Sequence, residues 1–296
     1  MAGTRCVAIS TCFYPTAIPT PHLSKSFLVA RFSIAQWKHT RVLCTERANK
    51  AAIKESHELV EIEYAELNLN QNIGEKFGGV RIRQHVNPLK ASLMTPVEPP
   101  NWENIFEDTR LPLMVDIGCG SGRFLILLAK RFCGTKNFLG LDIRDKLVQR
   151  SQFWAKELAI KNIHFMVANA TVSFGALIST YPGPLTCVSI LCPDPHFKKK
   201  HHKRRILQKP LADAIINNLA PGGQIFMQSD VQEVAVDMRQ YFDSQYDSLQ
   251  PMYIHHPNLC DDEGWVLENP MHIRTEREIH AHSEGAKIYR RVYEKR

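Results

Sequence analysis

An α/β fold built on a mostly parallel sheet, covered by helices on both faces, is what this chain predicts from residue 111 onward. Three observations carry that expectation. Short β-rich runs alternate with stretches of helical periodicity. Several strand runs are nearly continuous in apolar residues, as strands buried on both faces must be. The junctions after the strands carry glycines, acids or prolines, which is where open α/β sheets collect their ligands.

The elements follow in order. Residues 111–117 form an apolar run that closes in Gly118-Cys-Gly-Ser-Gly122, read as a buried strand and a tight turn. Residues 123–132 have helical periodicity, and 137–141 are a strand ended by Asp142. A helix over 145–158, a strand over 163–167 and a helix over 171–180 come next. Residues 185–191, rich in β-branched and apolar side chains, are the fourth strand. A helix over 204–219 is stopped by Pro221-Gly-Gly223 and followed by a strand over 224–228 and a helix through Phe242. The tail, 286–294, alternates polar and apolar residues and reads as a last strand. Residues 255–271 read as an irregular insertion.

Composition narrows the possibilities. With 296 residues, 44% of them hydrophobic, a sizeable core is available. No apolar stretch approaches the roughly 18–20 residues that span a bilayer, so no membrane association is expected. The formal net charge of +7 favours an anionic partner. The eight cysteines form no C-x-x-C pair and no zinc-ligand spacing, so reduced thiols are expected and no metal site.

Three segments are expected along the chain. Residues 1–45 contain no acid, carry five Lys and Arg and are rich in Ser and Thr, the composition of an organellar transit peptide. A disordered basic arm is the plainer alternative. Residues 46–110 are a helical and then extended lead-in, marked by Pro88, Pro96, Pro99 and Pro100. Residues 111–296 form the main domain.

The candidate site lies at the strand ends. Asp116-Ile-Gly118-Cys-Gly120-Ser-Gly122 has G-x-G-x-G spacing, unlike the G-x-G-x-x-G of dinucleotide sites. Glycines there allow close backbone approach to a nucleoside, though a tight turn with no ligand has the same appearance. Asp142 ends the second strand, where an acid can take both ribose hydroxyls. Asn169-Ala170 closes the third, where an amide and a backbone N–H could read an adenine edge. A pyrophosphate would want this region free of carboxylates, whereas a sulfonium cofactor welcomes them. That asymmetry favours S-adenosylmethionine over a nicotinamide dinucleotide.

After the fourth strand stands Pro193-Asp-Pro-His-Phe-Lys198, running into Lys199-Lys-His-His-Lys-Arg-Arg205. Prolines on both sides restrict the backbone and aim the Asp194 carboxylate. The cations that follow suit phosphate binding, since they adjoin the proposed pocket, with a solvated helix start as the alternative.

From about residue 81 onward the chain resembles the tRNA (guanine-N7)-methyltransferase family. The motifs are Asp116-Ile-Gly-Cys-Gly, Leu139-Gly-Leu-Asp-Ile-Arg144, Asn169-Ala170, the proline-aspartate-proline corner with its lysines, Gln228-Ser-Asp230 and Thr275-Glu-Arg-Glu278. The glycine turn is generic to methyltransferases; the corner followed by lysine is specific. The resemblance implies a class I methyltransferase fold, a seven-stranded mostly parallel sheet with an antiparallel last strand. It implies methyl transfer from S-adenosylmethionine to N7 of the variable-loop guanine, position 46, of tRNA.

By the same resemblance Asp194 is the catalytic acid. Asp116, Gly118, Gly120, Asp142, Ile143, Arg144, Asn169, Ala170 and Leu191 hold the cofactor, and Lys198, Asp230, Thr275 and Glu278 hold the substrate. Glu276 and Glu284 are neighbouring acids that could be confused with Glu278. Eukaryotic relatives work with a WD-repeat, β-propeller partner; the transit-like leader favours a chain that acts alone, in the chloroplast, with the mitochondrion as alternative. The rival readings are an RNA-binding protein with an inactive core, a dehydrogenase, and methylation of another RNA or of mRNA caps.

Overall fold

β1 (Leu113–Ile117) runs through the middle of a seven-stranded sheet, paired in parallel with β2 (Asn137–Asp142) on one side and β4 (Leu185–Leu191) on the other. The strand order is β3-β2-β1-β4-β5-β7-β6, with β3 (Ile163–Val167), β5 (Leu219–Ser229), β6 (Leu249–Pro251) and β7 (Tyr289–Lys295). β7 lies antiparallel to both its neighbours, β5 and β6, so the other six strands run in one direction. The fold expected from sequence, with its antiparallel last strand, is the fold observed. The computed structural model describes residues 46–69, 86–253 and 258–296. The transit-peptide expectation for 1–45, the part of the lead-in at 70–85 and residues 254–257 of the insertion lie outside the described residues.

The strands alternate side chains between two cores. Val115, Ile117, Leu139, Leu141, Val188 and Ile190 face one side. There they meet α4 (Ala170–Ile178), α5 (Lys209–Asn218) and α6 (Gln232–Asp243) through Phe174, Ile215 and Met238. Met114, Phe138, Phe165 and Cys187 face the other side. They are covered by α1 (Glu46–Glu63), α2 (Arg123–Arg131), α3 (Asp145–Glu157) and α7 (Glu276–Ser283). A strand buried on both faces needs apolar residues at consecutive positions, which is why β1 reads as an unbroken run.

Two boundaries differ from expectation, and two elements are additional. The helix expected over 204–219 begins at Lys209, and Lys199–Arg204 form a tighter 3-10 segment. Pro210 decides this: in a first turn its missing N–H costs nothing, whereas inside a longer helix it would break a bond. Pro221-Gly-Gly223 does not separate helix from strand, because β5 already pairs at Leu219 with Leu185. Pairing resumes at Gln224 with Cys187, so residues 220–223 bulge out of the strand. β6 and α7 were not expected; three residues show no periodicity, and α7 has eight.

Among the described residues, no helix is long and apolar enough to cross a membrane, and no group of three His, Cys, Asp or Glu could hold a metal ion. Cys119, Cys133, Cys187, Cys192 and Cys260 are free thiols.

Candidate active site

The chain leaves β1 toward β2 and β3, then returns to the other side of β1 as β4, so the sheet's switch point lies between β1 and β4. Ile117 pairs with Ile190 there, and the two strands end side by side. The glycine turn and the proline-aspartate-proline corner, about seventy residues apart in sequence, therefore open at the same edge.

The turn is pinned to β2. The amides of Gly118 and Cys119 both donate to the Leu141 carbonyl, at 2.7 and 3.1 Å. Gly118, Gly120 and Gly122 have φ of 81°, 56° and 77°, the left-handed region that glycine enters without cost. A Cβ on Gly118 would meet nothing within 4 Å, so its backbone borders open space.

Asp142, 4% exposed, accepts from the Gly120 amide at 3.0 Å, the Arg144 amide at 2.8 Å, and the Arg144 guanidinium at 2.9 and 2.8 Å. Asp116, 3% exposed, accepts the Ser189 hydroxyl at 2.6 Å. Burial, with the Asp142 charge adding to it against the Ser189 bond, pushes the Asp116 carboxyl up to about 7.

Two adjoining cavities meet at this edge. One, of about 390 Å³, is walled by Gly118, Asp142, Ile143, Arg144, Ala168 and Ala170 on the strand side and by Pro193–Phe197, Arg204 and Asp230 on the other. The second, of about 590 Å³, is walled by Asp116, Gly118, Gly120, Ser121, Leu191, Thr275 and Glu276, with Arg150 and Tyr64. Gly118, Arg144, Cys192 and Arg277 line both. Asp194 thus stands across the cavity from the glycine turn and the Asp142–Arg144 pair, with Phe197, 70% exposed, at the rim.

Residues 110–291 match the family described as "Putative methyltransferase". A tRNA (guanine-N(7)-)-methyltransferase of a Synechococcus species is 43% identical over 219 residues, covering 74% of this chain and 86% of that relative. Proteins of the same name from Synechocystis and Trichormus variabilis are 40% and 39% identical, covering 71% and 73% of this chain and 95% and 96% of theirs. This chain belongs to the tRNA (guanine-N7)-methyltransferase family.

Most of the positions that the family resemblance singles out converge on the two cavities, but three do not line them. Asn169 turns its amide away: its Oδ1 accepts the Thr171 amide at 3.2 Å, capping α4, and its Nδ2 donates to the Pro88 carbonyl at 3.1 Å. Ala168 and Ala170 supply the wall where an adenine-reading amide was expected.

Glu278, on α7, is 1% exposed and turns into a buried cluster against β5 and β7. Its carboxylate takes Arg290 at 2.6 Å, Asn269 at 2.9 Å and Gln228 at 3.1 Å, and it closes a capping box with Thr275. It is Glu276, one of the acids that could be confused with it, that lines the second cavity, accepting the Ser121 hydroxyl at 2.6 Å. Lys198 is exposed at the start of the 3-10 segment, outside both walls.

Sequence reasoning missed Arg277, which lines both cavities and donates to Asp230 at 2.6 and 3.0 Å. It lies inside the Thr275–Glu278 motif, so the signal was present. Tyr64, brought from the end of α1, had none; its hydroxyl donates to the Arg274 carbonyl at 2.6 Å.

Proposed function

We propose that this chain transfers a methyl group from S-adenosylmethionine to N7 of the variable-loop guanine, position 46, of tRNA. What carries the methyl-transfer reading is the meeting of the Asp194 corner with the acid-flanked glycine turn across the β1–β4 switch point, in a chain whose relatives are named tRNA (guanine-N(7)-)-methyltransferases; the variable-loop position rests on the family resemblance. The residues at the turn fit the cofactor: open backbone at Gly118 and two buried carboxylates suit a nucleoside that carries a positive charge. Bound there, S-adenosylmethionine supplies an electrophilic methyl group.

Asp142 is the acceptor for the ribose hydroxyls. Its oxygens now take the Arg144 fork, so ribose binding exchanges guanidinium donors for hydroxyl donors. Ile143, Ala168 and Ala170 give the apolar wall for the base. Asp116 places a carboxylate near the sulfonium charge.

Guanine N7 carries a free lone pair at neutral pH, so no proton has to be removed before it attacks. The chain's work is then positioning and charge stabilisation. Asp194 accepts from the guanine N1–H and exocyclic amine and stabilises the positive charge that grows on the ring. Phe197, exposed at the rim, offers a face on which an extruded base can stack. Lys198, Lys199, Lys200 and Lys203 hold phosphates outside the pocket, while Asp230 lines the first cavity and Thr275 the second. We place the enzyme in an organelle, the chloroplast before the mitochondrion, on the composition of residues 1–45, and read it as acting without a propeller subunit.

A tRNA transcript carrying 7-deazaguanine at the variable-loop position tests the assignment, because that base lacks the attacked nitrogen and keeps its pairing edge. Methyl incorporation from labelled cofactor should drop to background. Incorporation equal to that of the guanine transcript would refute the proposed target atom.

A further inference from the structure

The cationic run ends in a residue that does not face solvent. Arg205 is 6% exposed, whereas residues 197–200 and Lys203 are exposed. Its guanidinium is spent on the protein. Nε donates to the Pro195 carbonyl at 2.9 Å, one terminal nitrogen donates to the Glu233 carboxylate at 2.9 Å, and the other pairs with Asp237. The His202 ring lies 3.1 Å from the same group. Glu233 and Asp237 stand one turn apart on α6, the helix that follows β5. One side chain therefore bridges the carbonyl just after Asp194 to a packed helix.

The corner needs such a hold. Cys192 and His196, two positions to either side of Asp194, have φ of 48° and 46°, a region that non-glycine residues enter only when their surroundings enforce it. On the near side the Cys192 amide donates to the Gln228 carbonyl at 2.7 Å. On the far side the contact to Pro195 comes from Arg205. A lysine could not reproduce it, because a point charge lacks the planar fork that reaches three acceptors at once.

We infer that Arg205 is a positioning residue that holds the Pro193–Pro195 corner, and with it Asp194, against the cavity, and is not one of the cations that grip RNA. The inference rests on the reading of Asp194 as the group that engages guanine.

Two variants of the full chain test it from opposite charge signs. Arg205→Met removes the fork and one positive charge; the double change Glu233→Gln with Asp237→Asn loosens the same bridge and removes two negative charges. Both should lower kcat on tRNA at least tenfold, leave the salt slope of tRNA binding unchanged, and speed hydrogen exchange of the peptide covering residues 193–205. If Arg205→Met fails to fold, the double variant still reads the bridge without touching the arginine. Exchange at the wild-type rate in the folded variants overturns the inference. So does a flattened salt slope with kcat retained in Arg205→Met, which would make Arg205 an RNA contact. Full turnover by Asp194→Asn is a separate result, which removes the underlying reading of Asp194 and leaves the exchange readout of the bridge intact.

Discussion

Asp116 and Asp142 are both buried carboxylates at the glycine turn, yet their surroundings differ. Asp142 is saturated by an arginine fork and two amides, while Asp116 has the Ser189 hydroxyl. With Asp116 pushed up to about 7, the folded chain holds a proton between about pH 4 and pH 7 that the unfolded chain has released. Stability from this group is therefore greatest at the acid end of that window and is lost as pH rises through it.

A sulfonium beside the carboxylate reverses the preference, so cofactor binding should expel the proton. Affinity for S-adenosylmethionine, measured by calorimetry, should rise roughly tenfold from pH 6 to pH 8, the gain in ionised fraction for a group titrating near 7. In Asp116→Asn the profile should be flat. An equally steep profile in that variant would assign the titration elsewhere.

At the scale of elements, α7 is held to the sheet by charge as well as by packing. Glu278 on α7 meets Arg290 on β7, both almost fully buried, and Gln228 on β5 joins them. Removing one partner of a buried pair strands the other charge, which costs about 3–5 kcal/mol. Glu278→Ala should lose stability of that order in denaturant unfolding. Wild-type stability together with reduced tRNA affinity would show instead that this acid serves the substrate directly.

The same cluster shows where reading from sequence stops. The T-x-x-E spacing announces a capping box, but it does not reveal that the acid's second oxygen faces a strand. Asn169 is a parallel case, since its amide is claimed by Pro88, eighty-one residues earlier. By contrast, strand ends were legible because buried runs must stop at residues that can turn or take charge: Gly118, Asp142 and Pro193.

Over the whole molecule, one run of exposed lysines stands beside the cavity that the Asp194 corner walls. The run from Lys198 to Lys203 begins four residues after Asp194, and its four lysines are exposed. Replacing Lys199 and Lys200 with alanine should weaken tRNA binding and lower the slope of log affinity against log salt by roughly 0.7 to 0.9 for each phosphate left unneutralised. An unchanged slope would leave those lysines as solvated surface.

The strand count and the antiparallel last strand came from the family resemblance, while the covered, mostly parallel sheet was readable in the alternation of strand and helix. The pairing that brings turn and corner together was not: Ile117 lies beside Ile190 because β1 pairs with β4 across the switch point. That meeting places Asp194 opposite the turn, and the relatives named tRNA (guanine-N(7)-)-methyltransferases point to guanine N7 as the methyl acceptor. Nucleoside mass spectrometry of unmodified tRNA after incubation with the full chain and S-adenosylmethionine tests it most directly. The expected product is 7-methylguanosine approaching one per tRNA, with none from Asp194→Asn under the same conditions. A different methylated nucleoside, or none, from the wild-type chain would contradict the assignment.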